Sequence, residues 1–87
     1  MPTVWIPSLM QKLTGGLAQD EVEGATVREI VANLETAFPG FKERICENDR
    51  IRSSLSVAVD GQISNEGMRR KVGTSSVVHF LPALVGG

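Results

Sequence analysis

Thr26-Val27-Arg28-Glu29-Ile30-Val31-Ala32-Asn33-Leu34-Glu35-Thr36-Ala37-Phe38-Pro39-Gly40 carries the plainest structural signal in the chain. Thr26 stands where it caps the amide of Glu29, and Glu29 where its side chain reaches back to Thr26, the reciprocal pattern of a capping box. Behind it Val27, Ile30, Val31, Leu34 and Phe38 recur at helical spacing and define one apolar stripe, with Arg28, Asn33 and Glu35 elsewhere on the wheel. Pro39-Gly40 stops the helix. A single amphipathic helix leaves its stripe bare unless it lies on another layer, and the flanking sequence offers a sheet.

Upstream, Thr3-Val4-Trp5-Ile6-Pro7-Ser8-Leu9 alternates with period two, which puts Val4 and Ile6 on one face and Trp5 and Pro7 on the other. Pro7 lacks a ladder donor, so the strand is expected to end or bulge there. Leu13-Thr14-Gly15-Gly16 reads as a turn, and Leu17 to Glu23 as a second short strand anchored by Leu17. Downstream, Phe41 to Cys46 adds one helical turn with Phe41 and Ile45 tucked under the domain, and Glu47-Asn48-Asp49-Arg50 reads as a surface loop. Leu55-Ser56-Val57-Ala58-Val59 alternates as a half-buried strand before an Asp60-Gly61 turn. Gln62 to Val72 is polar with room for a short edge strand, and Val77-Val78-His79-Phe80-Leu81 is a final strand. Two strands before the helix and two or three after it predict an α+β fold. Its architecture is a ubiquitin-like β-grasp, a mixed sheet of four to five strands holding one main helix. The expected division is a folded domain over residues 1–81 and a flexible C-terminal tail over 82–87.

Composition narrows the function classes. With 87 residues the chain supports one core. Nine basic residues against ten acidic ones do not make a nucleic-acid coat or an anionic-membrane binder. A single Cys forms no internal disulfide, which fits a reducing compartment or indifference to redox. The opening Met1-Pro2-Thr3-Val4-Trp5 lacks a signal-peptide pattern, and no apolar stretch approaches the ~20 residues of a membrane helix. The expected location is the cytoplasm.

The segment after Pro82 carries the functional signal. No Asp, Glu, Lys or Arg follows Lys71, and Pro82-Ala83-Leu84-Val85-Gly86-Gly87 is an uncharged, Pro-stiffened extension ending in two residues without a Cβ. Termini without a task are usually polar and frayed. Glycines let another backbone or a nucleotide approach closely. At roughly 3.3 Å per residue the six-residue extension spans about 20 Å, enough to carry the Gly87 carboxylate into a partner's active site.

The ending Val78-His79-Phe80-Leu81-Pro82-Ala83-Leu84-Val85-Gly86-Gly87 resembles the tail of the ubiquitin-like sulfur carriers of the MoaD/ThiS type. These include the small subunit of molybdopterin synthase, the thiamine-biosynthesis carrier and a carrier used for cysteine biosynthesis. Trp5-Ile6-Pro7-Ser8-Leu9, Leu13-Thr14-Gly15-Gly16 and the helix from Thr26 to Gly40 are most similar to the cysteine-type, CysO-like branch. The likeness spans nearly the whole chain and is weakest over Gln62 to Ser76, which lacks the acidic turn of that branch.

The resemblance implies that the chain is substrate and carrier, with catalytic groups and cofactors in its partners. An enzyme related to ubiquitin-activating enzymes would adenylate the Gly87 carboxylate with ATP and magnesium, and sulfur would displace AMP to leave a thiocarboxylate. Gly86, Val85, Leu84, Ala83 and Pro82 would thread the partner's active site. The sulfur would then pass to an aminoacrylate held by a pyridoxal-phosphate cysteine synthase, with a metallopeptidase freeing the product. In the alternative, it would pass to a pterin precursor on the large subunit of molybdopterin synthase. Two further readings stay open: a ubiquitin-like modifier joined through Gly87 to lysines, and a plain interaction module.

The remaining candidates are modest. Cys46 and His79 are the only Cys and His; Cys46 reads as a small half-buried filler, and no cluster has metal-ligand spacing. Arg69-Arg70-Lys71 reads as a solvated loop, short of a nucleic-acid-binding face. If Val4, Ile6, Val78 and Phe80 face the helix, alternation puts Trp5, Pro7, His79 and Leu81 on the opposite face, where they predict a partner-docking surface.

Overall fold

The stripe of α1, Val27–Ala37, is buried along its length: Val27, Ile30, Val31 and Leu34 are fully enclosed in a computed structural model that describes residues 1–82. Thr26 caps the helix as expected, its Oγ1 accepting from the Glu29 amide at 3.2 Å. The reciprocal bond lands one residue earlier than the capping-box pattern predicts, with the Glu29 carboxylate accepting from the Ala25 amide at 3.0 Å. Thr26 itself sits in an isolated antiparallel bridge to Lys71, flanked by the bonds Val27 N to Arg70 O and Val72 N to Ala25 O. That bridge sews the helix start to the segment before the last strand.

Helix α1 closes at Phe38, and Gly40 adopts φ 99°, a left-handed turn that a residue with a Cβ resists. The Glu35 carboxylate accepts from the amides of Gly40 and Lys42 and so fixes the joint to α2, Phe41–Ile45. Both Phe41 and Ile45 are fully buried, as the sequence predicts.

The helix packs on a five-stranded sheet made of β1 (Thr3–Trp5), β2 (Gln19–Glu21), β5 (Leu55–Val59), β6 (Gln62–Ile63) and β7 (Val77–Pro82). Two shorter strands, β3 (Cys46–Glu47) and β4 (Arg50–Ile51), form a separate hairpin. The order in the main sheet is β2-β1-β7-β5-β6, with β1 and β7 parallel at the centre and every other neighbour antiparallel. The first and last strands of the chain therefore lie side by side, which is the β-grasp arrangement.

One face of this sheet, formed by Val4, Ile6, Val57, Val59, Val78 and Phe80, closes the core against α1 and α2. Phe41 meets Phe80 edge to face at 6.4 Å between ring centroids, so α2 is packed directly on the last strand.

Two expectations are corrected. Leu17 is no anchor. The bond from Ile6 N to Ala18 O continues the β1–β2 register past Gln19, so Leu17 falls level with Pro7 on the solvent side, and Val22 supplies the buried contact instead. The supposed surface loop over Glu47–Arg50 is the tip of the β3–β4 hairpin. Its two central residues, Asn48 and Asp49, take φ 53° and 61°, the pattern of a type I′ turn, and Arg28 of α1 clasps both Asp49 carboxylate oxygens at 2.8 and 2.7 Å. The stretch from Gln62 to Val72 opens with the short edge strand expected of it, β6, and adds a 3₁₀ turn, Gly67–Arg69, that buries Met68.

The basic run is also divided by the fold. Arg69 is exposed, Arg70 is half-buried beside Glu66, and Lys71 lies in the bridge to Thr26.

Candidate functional site

β7 carries the chain toward the expected tail, and it is held at both ends. At its start, Asp60 accepts from the Val77 amide at 2.9 Å and from the Ser76 hydroxyl at 2.8 Å, while its own amide donates to Val77 O. These bonds hold the Asp60 carboxyl below the usual carboxylate range, the Val77 amide contributing most and the Ser76 hydroxyl next. Further along, Val78 and Phe80 are locked into the core. At its end, Pro82 stands opposite Leu55 as the last residue of the strand, although it was expected to open the tail. Ala83, Leu84, Val85, Gly86 and Gly87 lie outside the described residues.

The face of the sheet turned away from α1 is the second feature. Parallel pairing sets Trp5 opposite His79, and antiparallel pairing sets Ala58 opposite His79 and Ser56 opposite Leu81. The indole and imidazole rings stack with centroids 5.5 Å apart and planes within 6°. Trp5 stays 40% exposed and Leu81 37%, as alternation predicts for an outward row, while Pro7 is half-buried beside them.

The row is wider than the sequence alone suggested. Ile63 pairs with Ala58 and extends it to the β6 edge at 62% exposure, and Leu17, level with Pro7, extends it toward β2 at 46%. Four of the six large apolar side chains exposed among the described residues therefore share one face. The outward positions of its three central strands are Thr3, Trp5, Val77, His79, Leu81, Ser56 and Ala58, with no Asp, Glu, Lys or Arg. A solvated sheet face ordinarily alternates polar residues outward. Pro7 and Leu17 shared the one available signal, a β1–β2 register of constant sum, which a single sequence does not display.

Cys46 is not a nucleophile here. It is buried more deeply than a half-buried filler, in the core beneath the opposite side of the sheet from His79, with its Sγ 3.7 Å from the Met68 sulfur. Burial pushes its thiol pKa up and so favours the unreactive protonated form. The fold thus does not bring the only Cys and the only His together. Among the described residues no group of three His, Cys, Asp or Glu is placed to hold a metal ion, and no helix is long and apolar enough to cross a membrane.

Comparison with known proteins adds to this geometry. The sequence profile of the ThiS family matches residues 4–87, a span that takes in both the strand β7 and Gly86-Gly87. No curated protein matches the chain significantly. Among solved structures, a chain of the Amycolatopsis orientalis BexX/CysO complex superposes with a TM-score of 0.91 at 30% identity, over 100% of both chains. CysO of Mycobacterium tuberculosis gives a TM-score of 0.89 at 22% identity, over 97% of this chain and 100% of that one. The small archaeal modifier protein 1 of Methanosarcina acetivorans shares the fold, with a TM-score of 0.79 at 19% identity over 99% and 95%.

Proposed function

Because the chain belongs to the ThiS family of ubiquitin-like sulfur carriers, we propose that it carries sulfur as a thiocarboxylate on Gly87, most specifically for the biosynthesis of cysteine. The observation that carries this reading is the span of the family match, which continues through Gly86-Gly87. The likeness to CysO at 30% identity over the full length of both chains supports the cysteine-type branch.

The chemistry follows from the weakness of a carboxylate as an electrophile. Its charge is delocalised, and direct substitution would expel oxide. Adenylation by a partner enzyme, with ATP as substrate and magnesium on its phosphates, joins the Gly87 carboxylate to AMP and releases pyrophosphate. Sulfide then attacks the acyl carbon, the acyl–oxygen bond to AMP breaks, and a thiocarboxylate remains after loss of the sulfide proton. A thiocarboxylic acid is far more acidic than a simple thiol with its pKa of about 8.5, so it is ionised and nucleophilic at neutral pH. Attack of the thiocarboxylate sulfur on an electrophilic acceptor held by a second enzyme, of the pyridoxal-phosphate cysteine synthase type, would form a carbon–sulfur bond and leave the product joined to the Gly87 acyl carbon; hydrolysis of that acyl bond by water, on a peptidase, would free the product and return the chain to its carboxylate for another round.

In that scheme this chain presents and addresses the sulfur, and its partners supply the catalytic groups. Glycines at the last two positions suit the task, since neither has a Cβ to clash with the nucleotide or the acceptor. The anchored β7 holds the base of the tail while the tail enters a partner.

The test is reconstitution. Incubation of the chain with ATP, magnesium, sulfide and fractionated extract of its native cells should convert Gly87 to a thiocarboxylate, read by mass, and a chain lacking Gly86-Gly87 should remain unchanged. Failure of every fraction to modify the intact chain, or accumulation of lysine-linked conjugates in place of the thiocarboxylate, would contradict the carrier reading.

A further inference from the structure

We propose that the gap along the outer edge of β5 is a binding site for a small carboxylic acid with a short apolar stem, recognised through Arg70 and Arg52. The inference stands apart from the carrier reading above.

Two departures from the sheet build the gap. β6 pairs with β5 only at Ala58 with Ile63 and at Val59 with Gln62, and the chain turns away directly afterwards. The Glu66 amide donates to Ser64 Oγ at 3.3 Å, and Gly67 takes φ 61° at the start of the 3₁₀ turn. At the other end the chain before β5 is drawn toward α2. The Arg52 amide donates to Ile45 O at 2.9 Å, and its Nε and Nη2 donate to Glu43 O at 3.0 and 2.8 Å. Leu55, Ser56 and Val57 are thus paired with β7 on one side and with no strand on the other. A cavity of about 200 Å³ opens beside them.

The walls of the cavity choose the ligand. Ile51, Leu55, Val57 and Ile63 supply an apolar part, and Arg52, Arg70, Ser53, Ser64 and Asn65 a polar one. No Asp or Glu lines it, whereas four larger clefts in the described surface each include at least one. Arg70 is the main recognition group. Its side chain is only 17% exposed, and Glu66 stands off at 3.8 Å from its Nε. Among the described residues its one hydrogen bond is long, from Nη1 to Gln62 O at 3.5 Å. A guanidinium with N–H groups to spare takes a carboxylate through charge-assisted, paired bonds. Pockets for drug-sized ligands run to roughly 300–1,000 Å³, so this cavity admits an acid of a few carbons and excludes a nucleotide. The apolar wall gives a hydrocarbon stem a place that an inorganic anion would leave unfilled.

The experiment titrates the isotope-labelled chain with sodium isovalerate at neutral pH and constant ionic strength, and follows the backbone amides by NMR. Saturable shifts should appear around Arg52, Val57, Ser64 and Arg70, with a Kd of about 1 mM or tighter. Isovaleramide, which has the same shape without the charge, and inorganic phosphate, which has charge without a stem, should each bind at least about tenfold more weakly. Arg70→Gln should weaken isovalerate binding by about tenfold or more. Thr36→Ala, on the exposed side of α1, should leave the Kd unchanged. Circular dichroism and the thermal midpoint establish that each variant is folded. Should Arg70→Gln lose its fold, Ser53→Phe carries the same test by blocking the cavity from an exposed position in its wall.

Shifts that stay linear in isovalerate up to about 50 mM would overturn the proposal. So would equal affinity for isovalerate and isovaleramide, since the arginines would then read no charge. Phosphate binding as tightly as isovalerate would make the gap a site for inorganic anions and overturn the assignment of an apolar stem. An unchanged Kd in folded Arg70→Gln and Ser53→Phe would put the binding elsewhere on the molecule and overturn it as well.

Discussion

Trp5 and His79 are direct partners in the parallel ladder that joins the first strand to the last, and their rings stack 5.5 Å apart on the open face of the sheet. This contact contributes to the surface more than to the core. His79→Ala should cost only about 0.5–1.5 kcal/mol in urea unfolding and shift the emission of Trp5, the sole tryptophan, to longer wavelength. An unchanged emission spectrum would show that the rings do not stack in solution.

The core behaves differently. Leu34 and Phe41 are fully enclosed, and Phe41 also touches Phe80 of β7. Leu34→Ala should lower stability by about 2–5 kcal/mol and Phe41→Ala by about 3–5 kcal/mol, each leaving a cavity the small domain cannot close. Equilibrium urea unfolding measures both. A loss of under half a unit in either case would mean that the helix layer is not packed as described.

Among the described residues, Gly24 is the glycine with the least room for change. A Cβ there would meet the Ile30 amide nitrogen and side chain at 2.9 Å, with φ at +155°. Gly24→Ala should therefore destabilise by about 1–3 kcal/mol, through displacement of the first turn of α1. Amide hydrogen exchange over residues 27–31 should accelerate in the variant, and a wild-type exchange pattern with wild-type stability would contradict the close approach.

Acid should weaken the fold through three carboxylates. Glu35 is held below its ordinary pKa by the amides of Lys42 and Gly40, Asp49 by Arg28, and Asp60 by the Val77 amide and Ser76 hydroxyl. In each case the unfolded chain binds the proton more tightly than the folded one. The stability these groups contribute is present above the usual carboxylate range near pH 4 and is lost as pH falls through their lowered values. Asp60→Asn should reduce stability at neutral pH and flatten the fall on acidification. A variant with the same acid profile as wild type would remove Asp60 from this role.

Cys46 should resist thiol reagents in the native state and react at the rate of unfolding, since its sulfur is enclosed beside Met68. Fast stoichiometric labelling without denaturant would contradict its placement.

The parts of this fold that were legible in the sequence are those set by neighbours along the chain. The cap at Thr26, the stripe from Val27 to Leu34, the alternation of Val4 against Trp5 and the Asp60-Gly61 turn each depend on a few adjacent residues. The parts that were not legible depend on distant pairing. Leu17 faces outward because its strand registers against β1, a fact that no local window contains. The β3–β4 hairpin has strands of two residues, too short for a period, and its turn is Asn48-Asp49, lacking the Gly that usually marks such turns. Met68 sits alone in a polar run and finds its burial only through the 3₁₀ turn beneath Cys46. At the candidate site the outward row was half visible: Trp5, His79 and Leu81 follow from alternation, while Ile63 and Ala58 join it only through the pairing of β5 with β6 and β7.

The central claim is that Gly87 carries sulfur, and the intact mass of the protein from its native cells tests it most directly. Purified under mild, amine-free conditions, a fraction of the chain should be heavier by one oxygen exchanged for sulfur, with fragmentation assigning the change to Gly87. A terminus that is a plain carboxylate in every molecule, under conditions where the cell is actively making sulfur compounds, would contradict it.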